Sequence, residues 1–212
     1  MAKNANHGLK NRHVSIVAAS GGGKSQLGRN DVVPKTGARC IFWDVDEDHK
    51  ANRYSNRGEF LRALKSASGT GKPFKIAWVG DDDEKTFAWF CEVVWAVLDG
   101  RRDTWVVLEE MADQNMGQTM PPWLKKLIVR GRKYGAIVVT TTQRCQEVPK
   151  ALITQPKRRF YGQHFEQDAA YMQRLTRIKA EEFESLPALS FFERGEGSET
   201  RIFRTKYVEY HP

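Results

Sequence analysis

Short apolar runs recur along the chain, separated by polar turns and by stretches in which apolar residues lie three or four positions apart. The runs are rich in β-branched and aromatic residues, which is typical of buried strands, whereas the wider spacing indicates helices with one buried face. The predicted strands cover residues 13–19, 39–46, 74–79, 105–108, 136–140 and 158–165. The predicted helices cover residues 24–28, 53–67, 84–98, 123–134 and 167–177. The Gly195-Glu-Gly197 turn predicts a closing β-hairpin.

Strands and helices alternate through the first five predicted strands. This order predicts an α/β fold with a mostly parallel central sheet, helices on both faces and a C-terminal β-hairpin. We expect a basic, frayed N-terminal segment over residues 1–12 and one domain over residues 13–212, because a chain of 212 residues forms one sizeable core but not two. Ligands of such folds bind at the carboxyl ends of the strands.

Composition changes this picture little. The hydrophobic content of 40% and the mean hydropathy of −0.59 are typical of water-soluble globular proteins. No apolar run approaches the roughly 20 residues that span a bilayer, and the N-terminus does not resemble a signal peptide. We therefore do not expect an integral membrane protein. The cysteines show neither disulfide nor metal-ligand spacing, so Cys40 and Cys91 are expected in the core of a chain from a reducing compartment.

The net charge of +8 favours a polyanionic or acidic partner, although many basic proteins bind no nucleic acid. Two basic clusters contribute to it, one within the helix that begins at Trp123 and one at Lys157-Arg158-Arg159. Each cluster fits contact with DNA phosphates and equally fits a solvated surface. The candidate DNA-binding residues are Lys125, Lys126, Lys133, Lys157 and Arg159.

A glycine-rich stretch joins the first strand to the first helix and matches the P-loop pattern, except that Ala18 stands where the pattern has glycine. Backbone N–H groups of such a loop surround phosphates, the lysine reaches the β- and γ-phosphates, and the serine hydroxyl binds Mg²⁺. An ordinary loop is the alternative, but its position between strand and helix favours a site for ATP. The predicted nucleotide-binding residues are Ala19, Ser20, Gly21, Gly22, Gly23, Lys24, Ser25 and Gln26.

Two glutamates follow the strand at residues 105–108. A P-loop ATPase needs one acid beside the magnesium ion and another to orient and deprotonate the attacking water. By position, Glu109 is the predicted metal-side acid, together with Ser25, and Glu110 is the predicted catalytic base. The alternative is a pair of solvated glutamates. The aspartates at residues 81–83 are interpreted as a helix cap rather than a metal site.

The strand at residues 136–140 also becomes polar at its carboxyl end, in Thr140-Thr-Thr-Gln143-Arg144. A glutamine at this place could hydrogen-bond the attacking water or the γ-phosphate. A capping or turn cluster is the alternative, and the pattern alone does not decide between them.

Together, the phosphate loop, the Glu109-Glu110 strand end, the basic helix and the Gln143-Arg144 strand end resemble the FtsK–HerA superfamily. Within it, the chain is similar to the genome-packaging ATPases of membrane-containing double-stranded DNA viruses such as tectiviruses. The motifs cover residues 13–165, and the Gln143-Arg144 ending is the most specific of them. The resemblance implies a RecA/FtsK-like P-loop fold.

It also implies an ATP- and Mg²⁺-dependent motor that moves double-stranded DNA as a hexameric or pentameric ring of identical subunits. Gln143 then matches the family's sensor glutamine, and Glu109, Glu110 and Lys24 complete the catalytic set. The implied partners are DNA, further copies of the chain and packaging proteins at a capsid vertex or membrane. The implied location is the host cytoplasm during assembly and then the packaging vertex of the virion.

The family also inserts an arginine from one subunit into the next subunit's site, where its charge stabilises the transferring phosphoryl group. The candidates are Arg130, Arg132, Arg144 and Arg158. Two other classes of protein remain open from the residues themselves. One is a nucleotide or nucleoside kinase, and the other is a nucleic-acid-binding switch that holds ATP without translocation.

Overall fold

The computed structural model describes residues 1–197 and 199–210, which form nine strands and seven α-helices. The strands are β1 (Val14–Val17), β2 (Arg39–Trp43), β3 (Asn52–Tyr54), β4 (Phe74–Trp78), β5 (Thr104–Leu108), β6 (Ala136–Thr142), β7 (Arg158–Tyr161), β8 (Ser190–Arg194) and β9 (Thr200–Arg204). The helices are α1 (Lys24–Leu27), α2 (Arg57–Thr70), α3 (Glu84–Val97), α4 (Pro122–Arg130), α5 (Lys150–Thr154), α6 (Glu166–Thr176) and α7 (Ala180–Glu184). A π-helical segment, Gly28–Val32, continues α1, and 3₁₀ turns at Met111–Gln114 and Gly131–Tyr134 follow β5 and α4.

All nine strands belong to one sheet, in the order β3-β4-β2-β5-β6-β1-β7-β8-β9. Strands β1 to β7 are parallel, whereas β8 and β9 form an antiparallel hairpin at one edge. The predicted fold is therefore confirmed. Because β6 lies between β1 and β5, the polar residues that follow these three strands meet at the same edge of the sheet.

The two faces of the sheet bury alternate strand residues, as the pleat of a strand requires. On one face, Trp43, Val106 and Val138 pack with apolar residues of α2 to α7. On the other face, Phe42 and Val107 belong to a smaller cluster to which Leu27 of α1 contributes. Helices thus cover both faces unequally. The predicted core positions of Cys40 and Cys91 are confirmed, since both are fully buried.

The predicted cap at the start of α3 is also present. Oδ1 of Asp83 accepts hydrogen bonds from the backbone N–H groups of Lys85 and Thr86, at 2.9 and 3.2 Å. These bonds satisfy donors that have no partner within the helix. Across residues 1–197 and 199–210, no group of three or more His, Cys, Asp or Glu side chains is arranged to hold a metal ion.

Several short elements were not predicted. Residues 52–54 form β3, which pairs with β4 at the edge of the sheet. The helix expected at residues 53–67 therefore begins later, at Arg57, and Asn56 caps its amino terminus. The short helices α5 and α7 and the end of β7 at Tyr161 also differ from the prediction. These elements have five residues or fewer. Their periodicity is therefore weak, and tertiary contacts determine them.

The N-terminal segment, expected to be frayed, is held against the domain. The backbone N–H of Lys3 donates to Leu98 O at 3.1 Å, and that of Asn6 donates to Lys133 O at 2.7 Å. Arg12 forms an ion pair with Asp103. These bonds join polar atoms distant in sequence, a kind of contact that local composition does not indicate. Among the described residues, no helix is long and apolar enough to cross a membrane.

His13, directly before β1, is a buried residue that ties three elements together. Its Nδ1 accepts from Val138 N at 3.0 Å, its Nε2 donates to Ile128 O at 3.1 Å, and its carbonyl oxygen accepts from Arg158 N at 3.2 Å. Burial lowers the pKa of the imidazole from 6.5 to about 4. A proton on Nδ1 would also face the N–H of Val138, so the native protein keeps this ring neutral.

We expect acid to destabilise the protein through His13. Between pH 6.5 and 4 the unfolded chain takes up a proton that the native state does not, so the free energy of unfolding falls by up to about 1.4 kcal/mol per pH unit from this residue. Urea unfolding followed by tryptophan fluorescence at pH 7, 5.5 and 4.5 measures the slope. His13→Asn, which does not titrate, should show a shallower slope. Equal slopes for the two proteins would contradict the prediction.

Candidate nucleotide-binding site

The phosphate loop connects β1 to α1 at the carboxyl edge of the sheet. Gly21 and Gly23 have φ angles of 74° and 96°, which side chains rarely tolerate. A Cβ on Gly23 would also lie 2.7 Å from a methyl carbon of Leu189. The loop conformation therefore depends on glycine at these places. Lys24 then begins nine continuous helical residues formed by α1 and its π-helical extension.

Ala18, the departure from the P-loop pattern, is fully buried beneath the loop. Its backbone N–H donates to Thr142 O at 3.2 Å, which joins the end of β1 to the end of β6. A Cβ added to Gly22 or to Gly162 would lie only 3.0 or 2.6 Å from the Ala18 methyl carbon. The methyl group thus fits because glycine stands at both neighbouring positions, and the departure leaves the shape of the loop intact.

Lys24 reaches from the phosphate loop to the acidic end of β5. Its side chain is 7% exposed, and Nζ lies 3.4 Å from Oε1 of Glu110 and 3.5 Å from the carbonyl oxygen of Ala19. Two residues that are far apart in sequence, one on the loop and one after β5, therefore form an ion pair. This pair places the predicted catalytic base beside the lysine that is predicted to bind the γ-phosphate.

Glu110 combines an unusual backbone with an unusual carboxyl environment. Its φ of 44° lies in the left-handed region, and its backbone N–H donates to Oγ1 of Thr141 at 2.9 Å. Oε2 is buried and has no hydrogen-bond partner within the described residues. Burial raises the pKa of this carboxyl group, and Glu109 adds to the rise while Lys24 opposes it. Backbone strain, an unpartnered oxygen and a raised pKa are typical of a functional carboxylate.

Glu109 lies deeper, and both of its oxygens have partners. Oε1 lies 2.6 Å from Nε2 of His49, and Oε2 accepts from the hydroxyl group of Thr141. Burial opposes charge on both members of the pair, but their contact raises the pKa of His49 and lowers that of Glu109. This buried contact shows that Glu109 is not one of two solvated glutamates.

Ser25, the predicted Mg²⁺ ligand, is bonded to a loop that follows β2. Its Oγ donates to Oδ2 of Asp48 at 2.7 Å, while NH1 of Arg29 lies 2.7 Å from Oδ1 of the same carboxylate. Asp44 in turn accepts from the backbone N–H groups of Asp48 and His49, at 2.8 and 3.0 Å. Burial raises the pKa of Asp44 to about 6. Residues 44–49 therefore contact both predicted metal-side residues, through Asp48 and His49.

The remaining predicted residues lie around this centre. Gln143 follows β6 directly, is half-buried, and stands at the strand between the phosphate loop and Glu110. Ser20 and Gly21 are exposed at the tip of the loop. The amide of Gln26 is directed elsewhere, since it bonds both the N–H and the carbonyl oxygen of Val208. For Gln26, the backbone alone remains available to a phosphate.

The donor set fits Mg²⁺ and a nucleoside triphosphate. Mg²⁺ usually keeps several waters and binds one or two side-chain oxygens beside substrate phosphates. Ser25 supplies such an oxygen, and within the described residues Oε2 of Glu110 is an acceptor without a hydrogen-bond partner. Lys24 and the glycine-rich backbone supply the positive groups that phosphates require.

The arginine-finger candidates differ in their surroundings. Arg132 donates to Leu9 O at 2.6 Å, and Nε of Arg158 lies 2.7 Å from Glu193. Arg130 is exposed at the end of α4, and Arg144 is exposed after β6 with a surface ion pair to Glu147. Arg130, Arg132 and Arg158 lie towards the amino edge of the sheet, whereas Arg144 directly follows Gln143 at the carboxyl edge.

The basic candidates also differ. Lys157 pairs with Glu196, and Arg159 donates to the carbonyl oxygens of Thr154 and Gly195. The ammonium group of Lys126 lies over the Trp95 and Trp123 rings, 4.8 and 4.4 Å from their centroids. Lys125 is exposed on α4, and Lys133 is half-buried near the start of β6. His13 bonds both Ile128 near the end of α4 and Arg158 at the start of β7. The two basic clusters therefore lie at the amino edge of the sheet, opposite the phosphate loop.

The sequence did not indicate the residues whose hydrogen bonds orient the predicted site residues. Asp44, Asp48, His49 and Thr141 were not among the candidates, although Asp44, Asp46 and Asp48 alternate at the carboxyl end of a buried strand. That position could have indicated a role, because carboxyl ends of parallel strands share one edge. The sequence does not show which of the three aspartates bonds Ser25, because this depends on the conformation of the loop.

A strand, phosphate loop and helix, with an acidic strand and an intervening polar strand at one sheet edge, define a P-loop NTPase fold. The chain belongs to the family of Protein P9 from Pseudoalteromonas phage PM2. The two are 36% identical over 155 residues, which are 73% of this chain and 69% of the phage protein. The resemblance inferred from the sequence is thus confirmed. No model of a known protein family matches the chain.

Solved structures share the fold. The genome packaging NTPase B204 of Sulfolobus turreted icosahedral virus 2, in complex with AMPPCP, superposes with a TM-score of 0.74 at 14% identity, over 94% of this chain and 99% of that chain. VirB4 of Thermoanaerobacter pseudethanolicus superposes with a TM-score of 0.66 at 12% identity, over 92% and 90% of the two chains. At these identities the similarity establishes the architecture.

Proposed function

We propose that the protein is an ATP-hydrolysing motor subunit that translocates double-stranded DNA and packages a viral genome into a preformed capsid. The observation that carries the proposal is the meeting of Lys24 and Glu110, 3.4 Å apart, beneath a phosphate loop. Membership of the P9 family and the fold shared with a genome packaging NTPase support the packaging role. Neither a nucleoside kinase nor a non-hydrolysing switch has a specific observation in its favour.

The chemistry assigned to the residues follows from their positions. When ATP binds, the ammonium group of Lys24 leaves the Glu110 carboxylate and contacts the phosphates, because the phosphate oxygens together carry more negative charge than one carboxylate. Glu110 is then free to orient the attacking water and accept its proton, and its raised pKa favours that transfer at neutral pH. Gln143 reports whether a γ-phosphate is present. Ser25, with Glu109 as the metal-side acid, would hold Mg²⁺, and the bound ion would supply positive charge to the phosphates.

We propose further that the active unit is a hexameric or pentameric ring in which an arginine from one subunit completes the site of the next. Arg130 and Arg144 suit this role best among the candidates, because their guanidinium groups are exposed. Packaging proteins at a capsid vertex or membrane are further proposed partners. Assembly in the host cytoplasm and a final position at the packaging vertex agree with this role.

The proposed DNA contacts are the basic clusters on α4 and at the start of β7. Their place at the edge opposite the phosphate loop would separate DNA from the hydrolysis site, so that a change at one could move the other. A motor of this kind should hold phosphates rather than read bases, since base-specific contacts would stop it at particular sequences. Lys125, exposed on α4, is the most accessible of the five candidates.

The test is the rate of ATP hydrolysis with and without double-stranded DNA, with the assembly mass measured in the same buffer. We expect hydrolysis that DNA stimulates regardless of its sequence, a stimulation that falls as salt rises, and the mass of a closed ring. Phosphoryl transfer to an added nucleoside or nucleotide would establish a kinase instead. ATP binding without turnover, in the presence of DNA and a ring, would establish a switch.

A further inference from the structure

We propose that Asp48 is a positioning residue of the Mg²⁺–ATP site and acts through Ser25. The loop at residues 44–49 follows β2, a strand that carries no P-loop motif. The inference rests on the proposed function in so far as it requires a magnesium-dependent nucleotide site at Ser25.

The hydrogen bond between Ser25 and Asp48 sets the direction of the serine oxygen. A hydroxyl group has one hydrogen and two lone pairs. Because the hydrogen points at Oδ2 of Asp48, 2.7 Å away, both lone pairs point elsewhere and are free for a cation. The carboxylate also makes the oxygen more electron-rich. Groups that hold a metal ligand in this way raise its affinity for the metal.

Asp48 is itself held in place from two directions. Arg29 NH1 donates to the Asp48 carbonyl oxygen at 3.0 Å as well as to Oδ1 at 2.7 Å. The backbone N–H of Asp48 donates to the buried Asp44 carboxylate at 2.8 Å. The side chain of Asp48 is 32% exposed, yet its orientation is determined, since both of its oxygens and its backbone have partners.

The same loop supplies a natural control. Asp46 lies two residues earlier and is exposed, and within residues 1–197 and 199–210 its carboxylate forms no hydrogen bond or ion pair. Asp46→Ala removes the same charge from the same loop without touching Ser25. A general effect of negative charge on the cation would appear in both variants, whereas an effect through Ser25 would appear for Asp48 alone.

The experiment measures the affinity for ATPγS by calorimetry, once with Mg²⁺ and once with EDTA, in wild type, Asp48→Ala and Asp46→Ala. The affinity with Mg²⁺ divided by the affinity with EDTA gives the factor by which the metal strengthens ATPγS binding. We expect Asp48→Ala to reduce this ratio by about tenfold and to leave the EDTA affinity unchanged, while Asp46→Ala keeps the wild-type ratio. Asp48→Asn, which preserves the size of the side chain, replaces Asp48→Ala if circular dichroism shows that the latter does not fold.

A double variant tests whether Asp48 acts through the serine. Ser25→Ala should itself reduce the ratio, and adding Asp48→Ala to it should reduce the ratio no further, since interacting residues are not additive. A wild-type ratio in Asp48→Ala, an equal loss in Asp46→Ala, or full additivity with Ser25→Ala would overturn the proposal. Wild-type protein that bound no ATPγS under either condition would instead refute the proposed function.

Discussion

Glu110→Gln is expected to abolish ATP hydrolysis while retaining ATP binding, with a turnover number about 10³-fold below that of the wild type, within the range that general acid–base groups contribute. Glutamine has nearly the size of glutamate, so the left-handed turn at this position and its bond to Thr141 can persist. It cannot accept a proton from water. Phosphate release under saturating ATP measures the loss.

The Glu110→Gln substitution should change the affinity for ATPγS little, and any change should be towards tighter binding. The Glu110 carboxylate lies 3.4 Å from Nζ of Lys24 and competes with the phosphates for this ammonium group. An uncharged side chain competes less, so the dissociation constant for ATPγS should remain at the wild-type value or fall. The two measurements together separate a missing base from a damaged site.

The matched control is Glu92→Gln, the same substitution at an exposed position of α3, which should hydrolyse ATP at the wild-type rate. Turnover of Glu110→Gln within tenfold of wild type would contradict the assignment of Glu110 as the base. Loss of ATPγS binding together with turnover would show that Glu110 supports the structure of the loop and would leave its role in proton transfer undemonstrated.

Lys24→Ala is expected to weaken ATP binding by about 10- to 100-fold, because a charge-assisted hydrogen bond to a phosphate contributes about 1.5–3 kcal/mol. Hydrolysis should fall further than binding, since the lysine also stabilises charge that develops on the transferring phosphoryl group. Calorimetric titration with ATPγS gives the first quantity, and turnover at saturating ATP gives the second.

Removal of Lys24 also leaves Glu110 without its partner, so the thermal midpoint must be measured in parallel. Lys65→Ala on the exposed face of α2 loses the same side chain and should match the wild type in binding and turnover. If Lys24→Ala folds and binds ATPγS as tightly as the wild type, the loop is not the phosphate site. If binding weakens but turnover at saturation is unchanged, the lysine acts in binding alone.

The long elements could be predicted from the chain because their signals are local. The helix at residues 84–98 has a capping aspartate at Asp83 and a continuous apolar face, and the structure ends it one residue earlier, at Val97. By contrast, β3 has three residues, and it exists because β4 offers it a free edge. A segment that short carries no periodic signal, so local pattern assigned it to the neighbouring helix.

The residues of the candidate site likewise fall into those that the sequence indicates and those that only the fold brings together. Phosphate loops and acidic strand ends are contiguous in sequence, so their residues could be named in advance. His49 and Thr141 are distant from Glu109 along the chain, and they meet it only because β2 and β6 lie on either side of β5. Adjacency across a sheet depends on strand order, which no local window contains.

What the amino-acid order determined by itself is the inventory of the phosphate site: a glycine-rich loop that can bend, a lysine, a serine, two glutamates and a glutamine, each at the end of an apolar strand. Tertiary structure alone decided which of these groups are free to react. Glu109 is buried and bonded to His49, whereas Oε2 of Glu110 has no hydrogen-bond partner within the described residues. The reason is physical, since hydrogen-bond partnership and desolvation depend on neighbours in space rather than on neighbours in the chain.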